Sequence, residues 1–310
     1  MSVDSPYAVV RARVHTVEPV SPNFARITFG GPGLDDYGTP GSTFDQRMKV
    51  VFPPESGVLP PLTDSDDWYA AWTALPEGDR GAMRTYSIRD VSVDDDGTRV
   101  VIDFVLHMAP GFTGPAATWA SRAEVGDEVL FVGPRRGRLD GGGVEYAPGD
   151  AESVLLAGDE TAAPAIARIL EDSPTDLRGV AFIEVPTEAD VLPFAAPDGV
   201  AVHWLPRDGA AHGDLLRPAV LAHLDAGVTA VGADSVDAPD GDVLVWETPE
   251  YSGLGEEIDS TAAPVDRYFW IAGESKVVTG LRRHLVKDLG VERSQVAFMG
   301  YWRHGVAMKG

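Results

Sequence analysis

The sequence contains no cysteine among its 310 residues, which removes disulfides, thiolate nucleophiles, thiolate-bound zinc and cysteine-ligated iron–sulfur clusters together. Redox chemistry in such a chain requires a bound organic cofactor. Lysine is nearly as scarce: 4 of the 25 basic residues are Lys, against 48 acids, and the formal charge is −23. A field of that sign repels polyanions, so nucleic acid or an anionic membrane surface is disfavoured as the main partner. No run approaches the roughly 18 to 20 apolar residues that cross a bilayer. Residues 1–20 also lack a basic stretch followed by an apolar one. The expectation is a soluble cytoplasmic protein with no nucleic-acid partner and no membrane insertion, and a monomer for want of an oligomerisation signal. What the chain does have is apolar material: 44% hydrophobic residues, enough for the cores of two ordinary domains.

The chain changes character near residue 140. Before it lie short β-branched runs at 8–17, 24–29, 48–52, 84–88, 99–106 and 128–132, broken by Gly/Pro clusters, a spacing that suits an antiparallel barrel or sandwich. After it, apolar runs at 153–157, 180–185, 200–205, 268–272 and 295–301 alternate with helical periodicity at 162–170 and 275–289, the latter closed by Gly290. Strands alternating with helices imply a parallel sheet with right-handed crossovers. The expected organisation is a β-barrel domain over 1–140, a linker over 141–150 that contains DGGG and APGD, and an α/β domain over 151–310. A second acidic, Gly-rich stretch at 248–264 reads as a surface excursion within the α/β domain.

Four segments are candidates for chemistry. In RTYSIRD, Arg84, Tyr86 and Ile88 share one face of a strand while Thr85, Ser87 and Arg89 share the other, so a cation and an aromatic ring stand together. That pairing suits a phosphate and a planar ring; the alternative is an ordinary barrel strand with snorkelling Arg ends. Downstream, His107 ends a strand and a Gly/Pro loop leads to Pro115, where a helix can start. Thr113, Gly114 and Ala116 could there offer backbone N–H groups to a pyrophosphate. The alternatives are a backbone-satisfied histidine and a structural turn. In SVLLAGDETAAPAIARIL, a strand ends at Gly158 and a helix follows, which puts Asp159, Glu160, Thr161 and Ala162 at the carboxyl edge of a sheet, where open α/β folds bind ligands. Two acids make poor phosphate neighbours, so this turn is expected against the nicotinamide end of a dinucleotide or a flavin rim; a simple helix cap is the alternative. Gly273, Glu274 and Ser275 repeat that layout, and Tyr301, Trp302 and Arg303 gather two aromatics and a cation near the end.

Taken in order, these segments resemble the siderophore-interacting protein family, FAD-binding ferric-siderophore reductases related to ferredoxin–NADP reductases. The resemblance is carried by R-x-Y-[ST]-x-R at Arg84, Tyr86, Ser87 and Arg89; by His107 and GPAxxWA at 114–120; by GDETAxPAI at 158–166; by WxAGE at 270–274; and by GYWRxG at 300–305. One departure stands out: the family's HGxxGPA reads HMAPGFTGPA, with Met108 in place of Gly and three added residues, Gly111 among the loop's flexible positions.

The resemblance implies a two-domain, ferredoxin reductase-like fold, with FAD on an N-terminal antiparallel β-barrel and NADH or NADPH on a C-terminal α/β domain with a parallel sheet. It places Arg84, Thr85, Tyr86, Ser87, His107, Thr113, Gly114 and Ala116 at FAD, with Asp159, Glu160, Thr161, Ala162, Tyr301 and Trp302 completing the cofactor sites. It implies reduction of a ferric siderophore, catecholate or hydroxamate, without a catalytic side chain or a resident metal. Because such complexes are often anionic, local cations must override the global field. Candidates are Lys49 with Arg47 beside it, Arg135, Arg136 and Arg138 of GPRRGR, and Arg303. The alternative for each is a solvated face or a partner of the FAD phosphates, as fitting for the Arg135–Arg136 pair as the substrate role; Lys49 and Arg303 come first, since a single Lys in so Lys-poor a chain is easier to explain by function. Glu184 near the end of the second sheet strand favours a ribose 2′-hydroxyl, whereas Arg207 after the third could bind a 2′-phosphate, so the nucleotide is left open. Two other functions fit less of the sequence: a flavin reductase serving a protein acceptor such as ferredoxin, and a siderophore carrier without turnover.

Overall fold

Alternation sets the first strand. Along β1 (Tyr7–Ser21), Ala8, Val10, Ala12 and Val14 enter one core while Val9 enters a second on the opposite face. In the computed structural model, residues 5–63, 67–108, 113–138, 140–225, 245–249, 251–252 and 266–306 are described. They fall into two units, Met1–Val144 and Glu145–Met308.

The first unit continues with β2 (Phe24–Gly30), β3 (Arg47–Phe52), helix α1 (Trp68–Ala74), β4 (Ala82–Ser87), β5 (Asp90–Asp94), β6 (Gly97–Val105), helix α2 (Pro115–Ala120) and β7 (Glu128–Pro134). The strands form one antiparallel sheet in the order β4-β3-β7-β1-β2-β6-β5. Its two ends belong to one continuous stretch of chain. Ile88 N–H donates to Gln46 O beside β3, and the next residue, Arg89, donates to Val101 O on β6, both at 2.9 Å, so the sheet curls into a barrel at that corner. The interior is aromatic: Phe29 lies edge-on to Phe131 at 4.8 Å, and Phe52 and Phe104 pack around Trp119 of α2. No run of apolar residues announces β5, a five-residue strand with exposed Val93.

The second unit contains β8 (Ser153–Gly158), α3 (Ala163–Asp172), β9 (Arg178–Val185), β10 (Gly199–Pro206), α4 (Leu216–Asp225), β11 (Trp246–Thr248), β12 (Tyr251–Ser252), β13 (Arg267–Glu274), α5 (Ser275–Arg283) and β14 (Val296–Trp302). The sheet order is β10-β9-β8-β13-β14-β11-β12; the first five strands are parallel and the last two antiparallel. Strand order reverses between β8 and β13, the switch point at which doubly wound sheets open a crevice. Leu155, Ala157, Phe269 and Ile271 share a core with Val220 and Leu224 of α4 and Val278 and Leu281 of α5.

Two expectations change. The helix foreseen over 275–289 is α-helical only to Arg283, and His284–Asp288 form a wider π-type turn in which Leu289 N–H reaches His284 O at 3.0 Å. The widening leaves Leu285 buried, and Gly290 then reverses the chain at φ 67°. The sheet is also not wholly parallel, because β11 and β12 extend it; they are too short for periodicity to show. Most of the acidic excursion foreseen over 248–264 lies outside the described residues. Among the described residues no helix is long and apolar enough to cross a membrane.

Candidate functional site

In the β-unit, the register of β3 against β4 sets Arg84 opposite Val50, Thr85 opposite Lys49 and Tyr86 opposite Met48. The Tyr86 ring packs on Phe104 at 4.6 Å and edge-on to Phe52 at 6.5 Å, and burial pushes its hydroxyl well above the usual tyrosine range. Arg84 is half-buried, which pushes its pKa down, and among the described residues no carboxylate pairs with it; Nη1 donates to Met83 O at 2.6 Å. Among the described residues β4 pairs only with β3, so on its other edge alternate peptide groups have no neighbouring strand there. Lys49 Nζ stands 3.5 Å from Thr85 Oγ1, and burial, then the charge of Arg47, pushes its pKa down.

His107 is half-buried just beyond β6, and Thr113 and Gly114 precede α2. Both the N–H and the hydroxyl of Thr118 donate to Gly114 O, at 3.0 and 2.9 Å, while a Cβ placed on Gly114 would meet no atom within 4 Å. The Ala116 side chain is buried in the barrel core, leaving only its backbone for a ligand. The lengthened part of this loop, with Gly111, lies outside the described residues.

The GPRRGR arginines are employed otherwise. Arg136 Nη2 donates to Leu34 O, Tyr37 O and Thr98 Oγ1 at 3.2, 2.7 and 2.6 Å. Arg135 holds Ser5 O at 2.9 Å and Tyr7 O at 3.2 Å and pairs with Asp36, while Arg138 forms a two-pronged contact with Asp140. Arg135 and Arg136 are struts between chain segments, a role that the sequence reading did not include.

In the α/β unit, the turn after β8 is an internal hub. Asp159, fully buried, accepts at Oδ1 from Thr161 N–H (2.9 Å) and hydroxyl (2.5 Å), and at Oδ2 from Glu274 N–H (2.7 Å) and the Trp302 indole (2.9 Å). Burial and then the charge of Glu160 push its pKa up, against the hydrogen bonds from Thr161 and Trp302. Gly273 is required beside it: φ is 135°, and a Cβ would stand 2.6 Å from Asp159 Oδ2. Glu160 is fully buried and takes both Arg207 nitrogens, at 2.6 and 2.9 Å, and His212 Nε2 at 2.9 Å. Thr161 is half-exposed and Ala162 buried. Tyr301 stacks on Trp246 at 6.1 Å, and His212 meets the Trp302 ring edge-on at 4.6 Å.

Glu184 and Arg207, the two candidates for reading the ribose, are both withdrawn from that role. Glu184 is fully buried and accepts from the N–H groups of Gly213, Leu215 and Leu216 at 2.8, 3.3 and 2.8 Å, pinning the start of α4. Arg207 is 7% exposed and committed to Glu160 and Glu184. Beside them, at the carboxyl ends of β10, β13 and β14, opens a cleft of about 840 Å³ lined by His212, Arg217, Lys276, Val277 and His304 among others. Sequence reading missed Arg217 and Lys276: they stand 59 positions apart outside the recognised motifs, and only the sheet order brings their helices together.

Comparison with known proteins agrees with this geometry. A siderophore-interacting FAD-binding domain model matches residues 13–138, and a siderophore-interacting protein model matches residues 151–305. The chain belongs to the siderophore-interacting protein family. It is 32% identical to an uncharacterised protein of Mycobacterium tuberculosis, covering 92% of this chain and 87% of the relative. It is 28% identical to the NADPH-dependent ferric-chelate reductase of Escherichia coli (92% and 89%) and 26% identical to the ferric vibriobactin reductase of Vibrio cholerae (92% and 86%). Among solved structures, a siderophore utilization protein from T. fusca superposes with a TM-score of 0.68 at 29% identity, covering 97% of this chain and 95% of the other. The ferredoxin reductase of carbazole 1,9a-dioxygenase shares the fold, with a TM-score of 0.56 at 16% identity over 96% and 69% of the two chains. The fold is ferredoxin reductase-like, with an antiparallel N-terminal FAD-binding unit and a C-terminal unit built on a mixed, largely parallel sheet.

Proposed function

We propose that the protein is an NAD(P)H-dependent ferric-siderophore reductase working through FAD. The observation that carries this reading is Arg84: a half-buried guanidinium with no carboxylate partner among the described residues, beside an aromatic ring on an edge strand, inside a segment matching an FAD-binding domain. A cation kept in that state suits a ligand phosphate. The residues present fit the cofactor. Arg84 would hold phosphate, Tyr86 would face the ring system, Thr85 and Ser87 would offer edge-strand donors, and the bare backbone at Gly114 leaves room for close approach, with Thr113, Ala116 and His107 around it. FAD held there would supply the chemistry the reading needs, hydride uptake from the nucleotide and one-electron delivery to Fe(III), an ion that hard oxygen ligands hold far more tightly than Fe(II).

The chain's own work is orientation and charge. Tyr86 is fixed by Phe52 and Phe104, so it presents a rigid surface. Asp159, Glu274 and Trp302 hold the carboxyl edge of the nucleotide sheet in place, with Glu160, Thr161, Ala162 and Tyr301 around it. Lys49 has no carboxylate within pairing distance among the described residues, and with Arg303 it would draw an anionic ferric complex toward an otherwise acidic protein. The names of the Escherichia coli and Vibrio cholerae relatives support the same substrate class.

The test is anaerobic. The purified protein should carry flavin absorbance, bleach on NADH or NADPH, and regain colour with a ferric siderophore, forming two Fe(II) per nucleotide oxidised, because a hydride carries two electrons. Recovery with ferredoxin but not with the ferric complex would make it a reductase for a protein acceptor. A colourless protein that binds the complex unchanged would make it a carrier.

A further inference from the structure

The cleft of the α/β unit carries two cations that have no ion-pair partner among the described residues. Arg217 and Lys276 both line it and both are exposed, in a chain with 48 acids and 25 bases. Neither lining carboxylate forms an ion pair with them among the described residues. Glu274 accepts from the N–H groups of Lys276 and Val277 with Oε2 and from His304 N–H with Oε1, and Asp214 accepts from Ala211 N–H.

The cations also share a place. The Arg217 guanidinium lies across α5 at Gly280, with Nε, Cζ and Nη1 each 4.0 Å from where a Cβ would stand. Gly280 is four residues beyond Lys276, and positions so spaced lie one above the other on a helix, their Cβ atoms about 5–6 Å apart. Glycine is, after proline, the least favourable residue inside a helix. Here it leaves the space over which Arg217 reaches toward the Lys276 face. Two like charges held on one face repel unless an anion lies with them.

The position selects which anion. In doubly wound sheets an acid near the end of the second strand accepts from the ribose 2′-hydroxyl of NADH. The acid at that place, Glu184, is buried with both oxygens already taken by the backbone of 213–216. The cleft therefore offers no such acid for a 2′-hydroxyl and two cations for a 2′-phosphate, with Pro218, Leu221 and Val277 as apolar surface for an adenosine.

We propose that Arg217 and Lys276 bind the 2′-phosphate of NADPH and make this chain select NADPH over NADH. The inference rests on reading this unit as the nucleotide site. Arg217 supplies a two-pronged donor to the phosphate and Lys276 a point charge.

The test uses the flavin-loaded protein and two nucleotide fragments, 2′,5′-ADP and 5′-AMP, in titration calorimetry, alongside the rates of flavin bleaching by NADPH and NADH. The wild-type protein should bind 2′,5′-ADP at least about tenfold more tightly than 5′-AMP, the size expected of hydrogen bonds to a charged group. Arg217→Ala and Lys276→Ala should each collapse that ratio toward one, and Arg217→Lys should restore part of it. The preference for 2′,5′-ADP should weaken with added salt, since the site is exposed. Equal affinities in the wild type, or a ratio unmoved in both Ala variants, would overturn the selectivity; bleaching by either dinucleotide would then leave the nucleotide-site reading intact. If neither fragment binds and neither dinucleotide bleaches the flavin, the nucleotide-site reading falls and the selectivity with it.

Discussion

The indole N–H of Trp302 donates to Asp159 Oδ2 at 2.9 Å, joining the end of the last parallel strand to the turn after the first strand of the same sheet. The same oxygen accepts from Glu274 N–H at the end of β13, so one buried carboxylate fastens three strand ends at the edge where the nucleotide is proposed to bind. Replacing Asp159 by Ala strands those donors, and each buried donor without a partner costs about 1–3 kcal/mol. Urea unfolding of Asp159→Ala should show a loss of at least that size, together with altered Trp302 fluorescence; an unchanged midpoint would mean that water replaces the carboxylate.

His212 gives the protein a pH dependence of definite sign. Burial alone would lower its pKa, but the hydrogen bond and charge of Glu160 outweigh burial, and the value is raised above 6.5. A proton held more tightly in the folded state contributes stability that is fully present below about pH 6.5 and lost as pH rises through the raised value. The gap in urea midpoint between wild type and His212→Gln should therefore be widest below that pH and close above it. A gap that widens with pH would show that His212 is neutral in the folded chain.

At the β-unit, Gly114→Val places a branched side chain where the structure is open, on a backbone with φ −82° and ψ 168° that valine adopts readily. Folding should survive while flavin retention falls by roughly tenfold, the loss of a hydrogen bond or two to a charged group. Thr118→Ala removes one of two donors to Gly114 O and should cost far less. Flavin-to-protein ratios after gel filtration make the comparison, and equal losses would assign the loop a purely structural role.

Lys49→Ala and Arg303→Ala should each raise KM for a ferric triscatecholate by several-fold, with smaller effects on flavin reduction, since the hydride step does not involve them. Rising salt should weaken substrate binding by the wild type more than by either variant, because exposed-charge attraction is screened beyond roughly 8 Å at physiological ionic strength. Identical salt profiles would place the attracting charge elsewhere or make the natural substrate an uncharged hydroxamate complex.

The sequence revealed what is local. Arg84, Tyr86 and Ser87 sit within one strand, so period-2 alternation assigned their faces, and β-branched or apolar runs between turn signals located most strands of both units. It could not find contacts made across distant segments. Glu184 and Arg207 looked like ribose readers because each follows a strand end, yet their partners come from residues 213–216 and from Glu160, which only the folded sheet supplies. Arg135 and Arg136 looked like a substrate patch for the same reason, and their acceptors at 5–7, 34–37 and 98 are invisible in a linear motif. Short edge strands such as β5 and β11 carry too few residues for any period to register.

The pairing of Tyr7 with Pro134 has a consequence for the order in which the chain can fold. The first strand finds its β7 neighbour only after that strand is made, on the order of 10 s later at ribosomal elongation rates of roughly 5–20 residues per second. In that interval β1 has β2, which follows after Pro22 and Asn23 and pairs from Ser21–Phe24 back to Arg13–Gly30. The β1–β2 hairpin therefore forms early and shields one edge of a valine-rich strand, while the other edge waits for the long-range closure that makes such barrels slow to complete.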